Sequence, residues 1–224
     1  MLPVLAVTGL AKEARLAAGP GVVAIGAGGN PQRLRTLLEA RRPPDCRAVV
    51  SIGIAGGLAP DLAPGDVVVA SEIMAGDQRY PADPAVADAL MARLASLGGS
   101  LRRSAIVGVE TAILTVVDKA GLQARTGAAI VDMESHVAAA FAARHGLPFA
   151  AIRVVCDPAD RAIPAFAAQA LKPNGEPDIV AVLTAILRDP RQIGPLVHLA
   201  RDSGRAFAAL TRCRPLLGHG LGVP

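Results

Sequence analysis

The sequence of 224 residues predicts a single α/β domain. Short apolar runs rich in β-branched residues alternate along it with segments of helical periodicity, a pattern typical of a sheet with helices on its faces. Apolar residues make up 52% of the chain, enough for one sizeable core, while the length is too short for two ordinary domains and a linker. We therefore expect one domain over 1–224, in which residues 177–224 form a C-terminal helical extension.

The elements follow one another in the order that this alternation sets. Strands are expected where the apolar runs are short, at 4–7, 22–25, 49–54, 67–70, 105–109, 129–132 and 149–155. Helices are expected where apolar residues recur every three or four positions, at 12–18, 32–41, 84–97, 117–125, 135–145, 178–187 and 192–211. Because ligands of open α/β sheets bind beyond the carboxyl ends of the strands, the residues that follow each strand are the candidates for chemistry.

Composition argues against several classes of protein. Aromatic residues make up 2% of the chain, with no Trp and one Tyr, too few to stack on single-stranded nucleic acid. The three cysteines lie far apart without CxxC spacing, which predicts neither a disulfide framework nor a zinc site and favours a reducing cytoplasm. The histidines share no metal-ligand spacing, so no metal is expected. No uncharged apolar run reaches the roughly 18–20 residues that a membrane-spanning helix needs.

Positive charge is concentrated near the C-terminus. The formal net charge is +4, and arginines outnumber aspartates within residues 188–214. Such a stretch is most often the solvated face of a helix. Attraction to an anionic membrane surface is the alternative, and it would place the protein in the cytoplasm at the inner face of a membrane.

A glycine-rich segment follows the third predicted strand. Residues 53–58 read GIAGGL. Glycines let backbone N–H groups approach a ligand closely, so Ile54, Ala55 and Gly56 are candidate binding residues. The same pattern is as often a tight structural turn.

Two acidic residues stand where predicted strands end. Glu134 lies in VDMES at 131–135, directly before a predicted helix, and Asp157 lies at the tip of the last strand. A carboxylate beside a helix N-terminus can accept hydrogen bonds from a diol such as the ribose 2′- and 3′-hydroxyls. Each residue also has a purely structural explanation, Glu134 as a helix cap and Asp157, which precedes Pro158, as a turn residue.

Taken together, these segments resemble the nucleoside phosphorylase superfamily, especially the branch that contains methylthioadenosine/S-adenosylhomocysteine nucleosidase. The signature consists of SIGIAGGLAPDLAPGDVVVA, VDMES and AIRVVCDPAD in that order, and with GLAKE at 9–13 it covers most of residues 1–160. The resemblance implies a three-layer α/β/α domain with a central mixed, partly barrel-like sheet. It also implies a homodimeric enzyme without a cofactor that breaks the N-glycosidic bond of an adenine nucleoside.

The resemblance assigns a role to each matching residue. Glu134 would bind the ribose diol, Met133 would pack against the sugar, and Asp157 would protonate the leaving purine at N7. Arg153 matches an arginine commonly found near that acid, and Glu13 matches the glutamate that activates water in hydrolytic members. An acid that carries a proton near neutral pH needs a pKa raised by burial, so we expect Asp157 to be buried.

The chain also departs from the family pattern. Ile54 stands where relatives often have Ser or Thr, which removes a hydroxyl that could contact phosphate. Phosphate-using relatives tend to carry Arg at the position of Glu13, so water is favoured as the nucleophile. Inorganic phosphate stays open as a co-substrate because Lys12 or Arg15 can supply a cation. Cys156 replaces the usual Ser before the acid, which predicts a weaker hydrogen bond to orient Asp157.

Two further segments concern the base and possible cofactors. ETAIL at 110–114 stands where nucleosidases often place an aromatic ring, so we expect Thr111 and Ile113 to line an aliphatic base pocket. GAGGNP at 26–31 imitates a dinucleotide fingerprint, but it lacks the third glycine. No nicotinamide cofactor is expected.

Beyond residue 160 the chain resembles mainly the hopanoid-associated phosphorylase branch, whose proposed substrate is adenosylhopane, an adenosine with a triterpenoid at its 5′ position. RAIPAF at 161–166 and the tail from residue 177 carry this weaker resemblance. Such a substrate needs an apolar channel, and a basic tail beside it would make transient membrane contact. The candidates to line the channel are Phe166, Leu171, Ile193, Leu196 and Val197. Alternatively, these side chains simply pack the terminal helices.

Other activities compete with this interpretation. Within the same class are methylthioadenosine/S-adenosylhomocysteine nucleosidase and futalosine hydrolase. From another class, the chain could be an inactive nucleoside-binding domain. The presence of both Glu134 and Asp157 argues against an inactive domain.

Overall fold

The computed structural model describes residues 1–41, 45–165, 184, 188, 189, 191 and 193–224. In this part of the chain the strands are β1 (Val4–Thr8), β2 (Val22–Gly26), β3 (Ala48–Gly57), β4 (Val67–Ala75), β5 (Gln78–Pro81), β6 (Leu101–Gly108), β7 (Ile130–Asp132) and β8 (Phe149–Asp157). The helices are α1 (Ala11–Ala17), α2 (Pro31–Glu39), α3 (Pro84–Leu94), α4 (Val116–Thr126), α5 (Ser135–Arg144) and α6 (Ile193–Leu217), with 3₁₀ turns at Ala95–Ser100 and His219–Gly222. Apart from residue 184, the predicted helix at 178–187 lies outside the described residues.

The strands form one mixed sheet that partly closes on itself. Its order is β2-β1-β3-β7-β6-β4-β5, and β8 pairs with both β3 and β4. Strands β3, β7, β6, β4 and β8 therefore form a closed ring, in which β3–β7 and β4–β8 are antiparallel and the other pairs are parallel. The predicted mixed, partly barrel-like sheet is confirmed.

Helices cover the sheet on two sides. One apolar cluster joins the strands to α3 and α6, and a second joins them to α2 and α5. Alternate residues of β3 enter each cluster, Val50 the first and Val49 the second, as the period of two in a strand requires. The described part of the predicted extension, α6, thus packs onto the same core as the rest of the domain.

Local capping explains where several helices begin. The side chains of Asn30, Asp83 and Thr115 accept hydrogen bonds from backbone N–H groups in the first turns of α2, α3 and α4. These bonds satisfy donors that have no partner inside the helix. Pro follows Asn30 and Asp83 at the first helical position, where its missing N–H is not needed.

The predictions missed β5, a short exposed edge strand. It pairs antiparallel with the end of β4, where Glu72 and Ala75 face Pro81 and Gln78. Gln78, Arg79 and Pro81 are exposed and only Tyr80 packs against the core, so no apolar alternation marks the strand in the sequence. Helix α6 also runs further than predicted, to Leu217 instead of residue 211.

The pairing of β3 with β8 sets up one end of the barrel. The two strands run parallel from Val49 and Phe149 to Ala55 and Val155. A register shift then places Asp157 opposite Gly56. The last carboxylate of β8 therefore lies beside the glycine-rich end of β3.

Candidate active site

A cavity of about 690 Å³ lies at the carboxyl ends of β3, β7 and β8. Glu13, Glu134 and Asp157 all line it, although they come from three separate stretches of the chain. The predicted residues that line it with them are Ile54, Ala55, Gly56, Met133 and Ile113. The structure thus brings the predicted carboxylates to one cleft.

Glu13 is a buried carboxyl group on the first helix. Its Oε2 accepts a hydrogen bond from the backbone N–H of Leu10, and its Oε1 accepts one from the N–H of Ile54, both at 2.7 Å. Burial raises the pKa of Glu13, while the charge of Arg153 and the backbone hydrogen bonds oppose the rise. The side chain is therefore fixed against the end of β3.

Glu134 belongs to a buried network of charges. Arg153 Nη2 lies 3.4 Å from Glu134 Oε2, and Arg153 Nε lies 2.5 Å from Asp132 Oδ2. Burial raises the pKa of Glu134 to about 8, the charge of Arg153 opposes this, and Asp132 and Glu13 add repulsion. One cation thus balances several acidic groups in a region shielded from water.

Arg153 is not among the residues that line the cavity, although it contacts Asp132 and Glu134, which do. Its side chain is 0% exposed and donates to Ser51 Oγ at 2.7 Å. Among the described residues, its Nη1 has no hydrogen-bond partner. Arg153 belongs to β8, one of the five strands of the closed ring, and its guanidinium group contacts the carboxylates of Asp132 and Glu134. Its place is that of a residue that positions Asp132 and Glu134.

Two glycines allow these groups to approach the backbone. A Cβ atom at Gly53 would lie 2.5 Å from Arg153 Nη1 and 2.6 Å from Glu13 Oε1. A Cβ atom at Gly9 would lie 2.7 Å from Glu134 Oε1. Any side chain at either position would push the charged groups apart. Both glycines lie in motifs of the sequence analysis, Gly9 in GLAKE and Gly53 in GIAGGL, but the motifs alone do not show this close approach.

Asp157 is buried at the end of β8, as expected. Burial raises the pKa of its carboxyl group, and the charge and hydrogen bond of Lys119 oppose the rise. Lys119 Nζ lies 2.5 Å from Asp157 Oδ2. The expected weakness at Cys156 is thus offset, because a lysine holds the acid. The Cys156 thiol instead lies 3.3 Å from Ser203 Oγ, and burial raises its pKa to about 12.

The sequence analysis did not single out Lys119, which the structure places against Asp157. It lies on α4, a helix with exposed residues around it, where a lysine is normally solvated. Its side chain is nevertheless 0% exposed. No local pattern marks the position, since the partner carboxylate is contributed by a distant strand.

The loop after β6 forms the apolar wall where the base was expected. Val109, Ala112, Ile113 and Leu114 line the cavity there. Thr111 does not line the cavity, because it is exposed on this irregular loop. A hydrogen bond from the N–H of Ile163 to the carbonyl oxygen of Leu114 ties this loop to the segment after β8.

One face of α6 closes the other side of the cavity. We call this face the helix wall; its residues recur at helical spacing and are Leu196, Leu199, Ala200, Ser203 and Phe207. Leu196 therefore lies where an apolar channel was expected. Ile193 and Val197 do not line the cavity, because they are 47% and 43% exposed on the outside of the helix. The other candidates, Phe166 and Leu171, lie outside the described residues.

Charged residues of α1 complete the cavity. Lys12 and Arg15 both line it, and Lys12 Nζ lies 4.0 Å from the centre of the Phe207 ring on the helix wall. Within the described ranges no group of His, Cys, Asp and Glu is placed to hold a metal ion. None of the helices in those ranges is long and apolar enough to cross a membrane.

A family model described as the phosphorylase superfamily matches residues 17–188, well over half of the chain. The chain belongs to the phosphorylase superfamily. Membership confirms the prediction of an enzyme of the phosphorylase and nucleosidase type, which acts on N-glycosidic bonds. A sequence search among curated proteins finds no match.

Solved structures of nucleosidases have a fold similar to that of this chain. The 5′-methylthioadenosine/S-adenosylhomocysteine nucleosidase from Helicobacter pylori with butyl-thio-DADMe-Immucillin-A aligns with a TM-score of 0.68 and 12% identity over 95% of this chain and 97% of that one. The S-adenosylhomocysteine nucleosidase from Streptococcus pyogenes in complex with 5-methylthiotubericidin gives 0.67 and 14%, covering 95% of each chain. A futalosine hydrolase mutant from Helicobacter pylori gives 0.64 and 13%, covering 95% and 99%. At these identities the likeness is one of fold.

Proposed function

We propose that this superfamily member hydrolyses the N-glycosidic bond of an adenine nucleoside with an apolar 5′ substituent, and that its substrate is adenosylhopane. The observation that carries the proposal is the convergence of Glu13, Glu134 and Asp157 on one cavity. Three acidic groups facing one space match a reaction in which the sugar becomes cationic and the base leaves as an anion.

Asp157 would supply the proton to the leaving base. Its burial favours the protonated form, and it lies at the same cavity as the apolar loop at 109–114. Proton donation to the departing base removes the negative charge that develops on it. A positioned acid of this kind contributes about 10²–10⁴-fold to the rate.

Glu134 would hold the ribose. Its carboxylate faces the cavity beside Met133, and Arg153 balances its charge from behind. A carboxylate that accepts hydrogen bonds from both hydroxyls of a diol fixes the sugar. When Glu134 is ionised, a form that the charge of Arg153 favours, its negative charge also stabilises the positive charge that the ribose ring develops as the bond breaks.

Glu13 favours water over phosphate as the nucleophile. Its raised pKa makes the carboxylate a stronger base toward a water molecule. The backbone N–H of Ile54 at the glycine-rich segment already donates to Glu13. An anionic phosphate in the same place would meet the negative charge of Glu13, while Lys12 and Arg15 are the cations that would favour it.

The helix wall supports an apolar 5′ substituent. Leu196, Leu199 and Phe207 present apolar side chains to the cavity on the side away from the buried acids. The solved nucleosidase from Helicobacter pylori holds an inhibitor with a butyl-thio group. A larger hydrocarbon group would bury more apolar area against this wall, at about 25 cal/mol per Å².

We also propose a cytoplasmic homodimer that contacts the inner face of the membrane transiently. Arg201, Arg205 and Arg212 are exposed on α6, and Ile193 and Val197 are exposed near its start. Cationic and apolar groups on one helix favour an anionic lipid surface. A lipid-borne substrate would reach the cavity from that surface.

Product analysis tests the reaction. The purified chain is incubated with adenosylhopane, methylthioadenosine and futalosine, each with and without inorganic phosphate, and base release is followed. We expect kcat/KM to be at least about tenfold higher for adenosylhopane. One methylene more or less in an apolar pocket changes transition-state binding by about 1–3 kcal/mol, so a large hydrocarbon substituent should give at least this preference. Phosphate should change neither the rate nor the sugar product.

Other outcomes of the same experiment identify the alternatives. Preference for methylthioadenosine or futalosine would assign the chain to those activities, and formation of the ribose 1-phosphate that keeps the 5′ substituent would show that phosphate attacks. Binding of all three without base release would indicate an inactive nucleoside-binding domain. An Asp157→Asn variant with full turnover would overturn the assignment of the acid.

A further inference from the structure

Lys119 makes an unusual set of contacts for a lysine. Its Nζ donates to Asp157 Oδ2 at 2.5 Å, to the carbonyl oxygen of Pro158 at 2.8 Å and to that of Arg161 at 2.9 Å. An ammonium group has three N–H donors, so all three are used. A lysine is almost never fully buried unless it is paired, which makes the contact with Asp157 the reason for its position.

We propose that Lys119 is a positioning residue for the leaving-group acid, holding Oδ2 of Asp157 so that the other carboxyl oxygen presents its proton to the base. The inference rests on the proposed function of Asp157. Lys119 approaches from α4, behind the strand end, while Asp157 also lines the cavity. With one oxygen fixed on the buried side, the carboxyl group has one orientation left.

The same ammonium group fixes the turn that carries the acid. Pro158 and Arg161 directly follow β8, and both offer their carbonyl oxygens to Lys119. Arg161 in turn pairs with Asp202, which is buried on α6. Lys119 therefore connects the acid to its turn, and Arg161 of that turn connects both to α6 through Asp202.

The positive charge of Lys119 should affect the pH dependence of the reaction. Lys119 opposes the rise in the pKa of Asp157 that burial causes, so its removal should raise that pKa further and make Asp157 a weaker acid. Since activity requires protonated Asp157, the alkaline limb of kcat/KM should move to higher pH. The other titratable or charged groups around the acid are Cys156, Glu13, Asp132, Glu134, Lys12, Arg15, Arg161 and Asp202.

The test replaces Lys119 by Met, which keeps the length and the apolar stem, and by Arg, which keeps the charge. For Lys119→Met we expect kcat on the purine nucleoside to fall about 10–100-fold, within the range for a misplaced acid. The alkaline limb should move up by about one pH unit. Lys119→Arg should return the limb toward the wild-type position.

A substrate with a good leaving group separates positioning from stability. A p-nitrophenyl riboside leaves without protonation, so Lys119→Met and Asp157→Asn should change its turnover by less than about threefold. Equal losses on both substrates, or an unmoved alkaline limb, would overturn the proposal. If Lys119→Met does not fold, Lys119→Gln removes the charge while it keeps a hydrogen-bond donor.

An activity-independent measurement keeps this proposal distinct from the proposed function. Carboxyl ¹³C NMR, with the Asp157 signal assigned by its loss in Asp157→Asn, gives the pH at which Asp157 titrates. We expect that pH to be higher in Lys119→Met than in the wild-type chain. The same titration in both would overturn the role of Lys119, whereas a wild-type chain that cleaves no nucleoside would overturn only the function.

Discussion

One end of the cavity is formed around the ends of β3, β7 and β8, and we call it the strand-built end. It differs from the helix wall in both chemistry and burial. At the strand-built end, Asp132, Glu134, Arg153 and Glu13 of α1 are all at least nine-tenths buried. Ion pairs join Arg153 to Asp132 and Glu134, and hydrogen bonds from the backbone hold Glu13. The helix wall is apolar and only partly buried. Other residues of α6 pack into the core. In addition, the pair Arg161–Asp202 and the contact of Lys12 with Phe207 hold the helix wall in place.

This difference indicates how the two regions divide the work. Buried charges are sensitive to their neighbours, since breaking a buried ion pair costs about 3–5 kcal/mol. An apolar contact is worth about 0.8 kcal/mol per buried CH₂ group, and small changes to it are tolerated. The barrel thus fixes the groups proposed for catalysis, while the helix wall is free to set which substituent is accepted.

The largest expected effect is that of Arg153→Met, which would break the strand-built end. The substitution leaves the acidic groups around Arg153 without their buried cation, so repulsion should displace Glu134 and Glu13. We expect kcat/KM to fall by at least about 10³-fold and the free energy of unfolding to fall by about 3–5 kcal/mol. Steady-state kinetics and urea denaturation measure the two quantities.

Arg103→Met is the matched control for this substitution. Arg103 is a partly exposed arginine of β6 that pairs with Asp88 at the surface. Loss of a surface pair should change stability by less than about 1 kcal/mol and leave kinetics unaltered. Equal effects of the two variants would remove the distinction between the buried network and an ordinary ion pair.

Most of the fold could be predicted, because apolar periodicity reports burial directly. Seven strands and their helices lie where β-branched runs and helical spacing placed them, with ends that shift by a few residues. Strand β5 could not be predicted, since only Tyr80 of its four residues packs against the core and one residue makes no pattern. The closure of the barrel through β8 depends on pairing between distant strands, which no local pattern contains.

Site residues that follow strands could be predicted from their position, whereas Glu13 on α1 was predicted only through the family resemblance and Lys119 on α4 was not predicted. Glu134 and Asp157 stand at strand ends, where α/β sheets collect ligands. Lys119 could not be found, because helical periodicity assigns a lysine to solvent. The exposure of Thr111 could not be predicted either, because the direction of a side chain in an irregular loop depends on tertiary contacts.

A pH titration of stability sharpens the comparison further. The folded-state pKa of Glu134 is about 8, against an ordinary value of 4.5, so the folded protein binds more protons than the unfolded chain between these values. Stability should therefore fall as pH rises through this interval, by at most about 1.4 kcal/mol per pH unit for one group. Urea denaturation between pH 5 and 9 measures the slope.

Glu134→Gln should flatten that slope. At pH 5, where Glu134 is protonated, the variant and the wild type should be about equally stable. At pH 9 the variant should be more stable by at least about 1 kcal/mol. Burial also raises the pKa values of Glu13 and Asp157, so a smaller slope of the same sign should remain. Parallel curves for the two proteins would show that Glu134 does not bind the extra proton.

The smallest effect is expected on the helix wall, from Leu199→Ser. This change places a hydroxyl among apolar contacts, so KM for a nucleoside with a long hydrocarbon 5′ substituent should rise about tenfold while kcat stays within about twofold. Methylthioadenosine, with its short substituent, should respond less. Val197→Ser, on the outer side of the same helix, is the matched control and should leave both constants unchanged. A fall in kcat for Leu199→Ser alone would mean that the helix wall also orients the reacting groups, and the division between the two regions would then be lost.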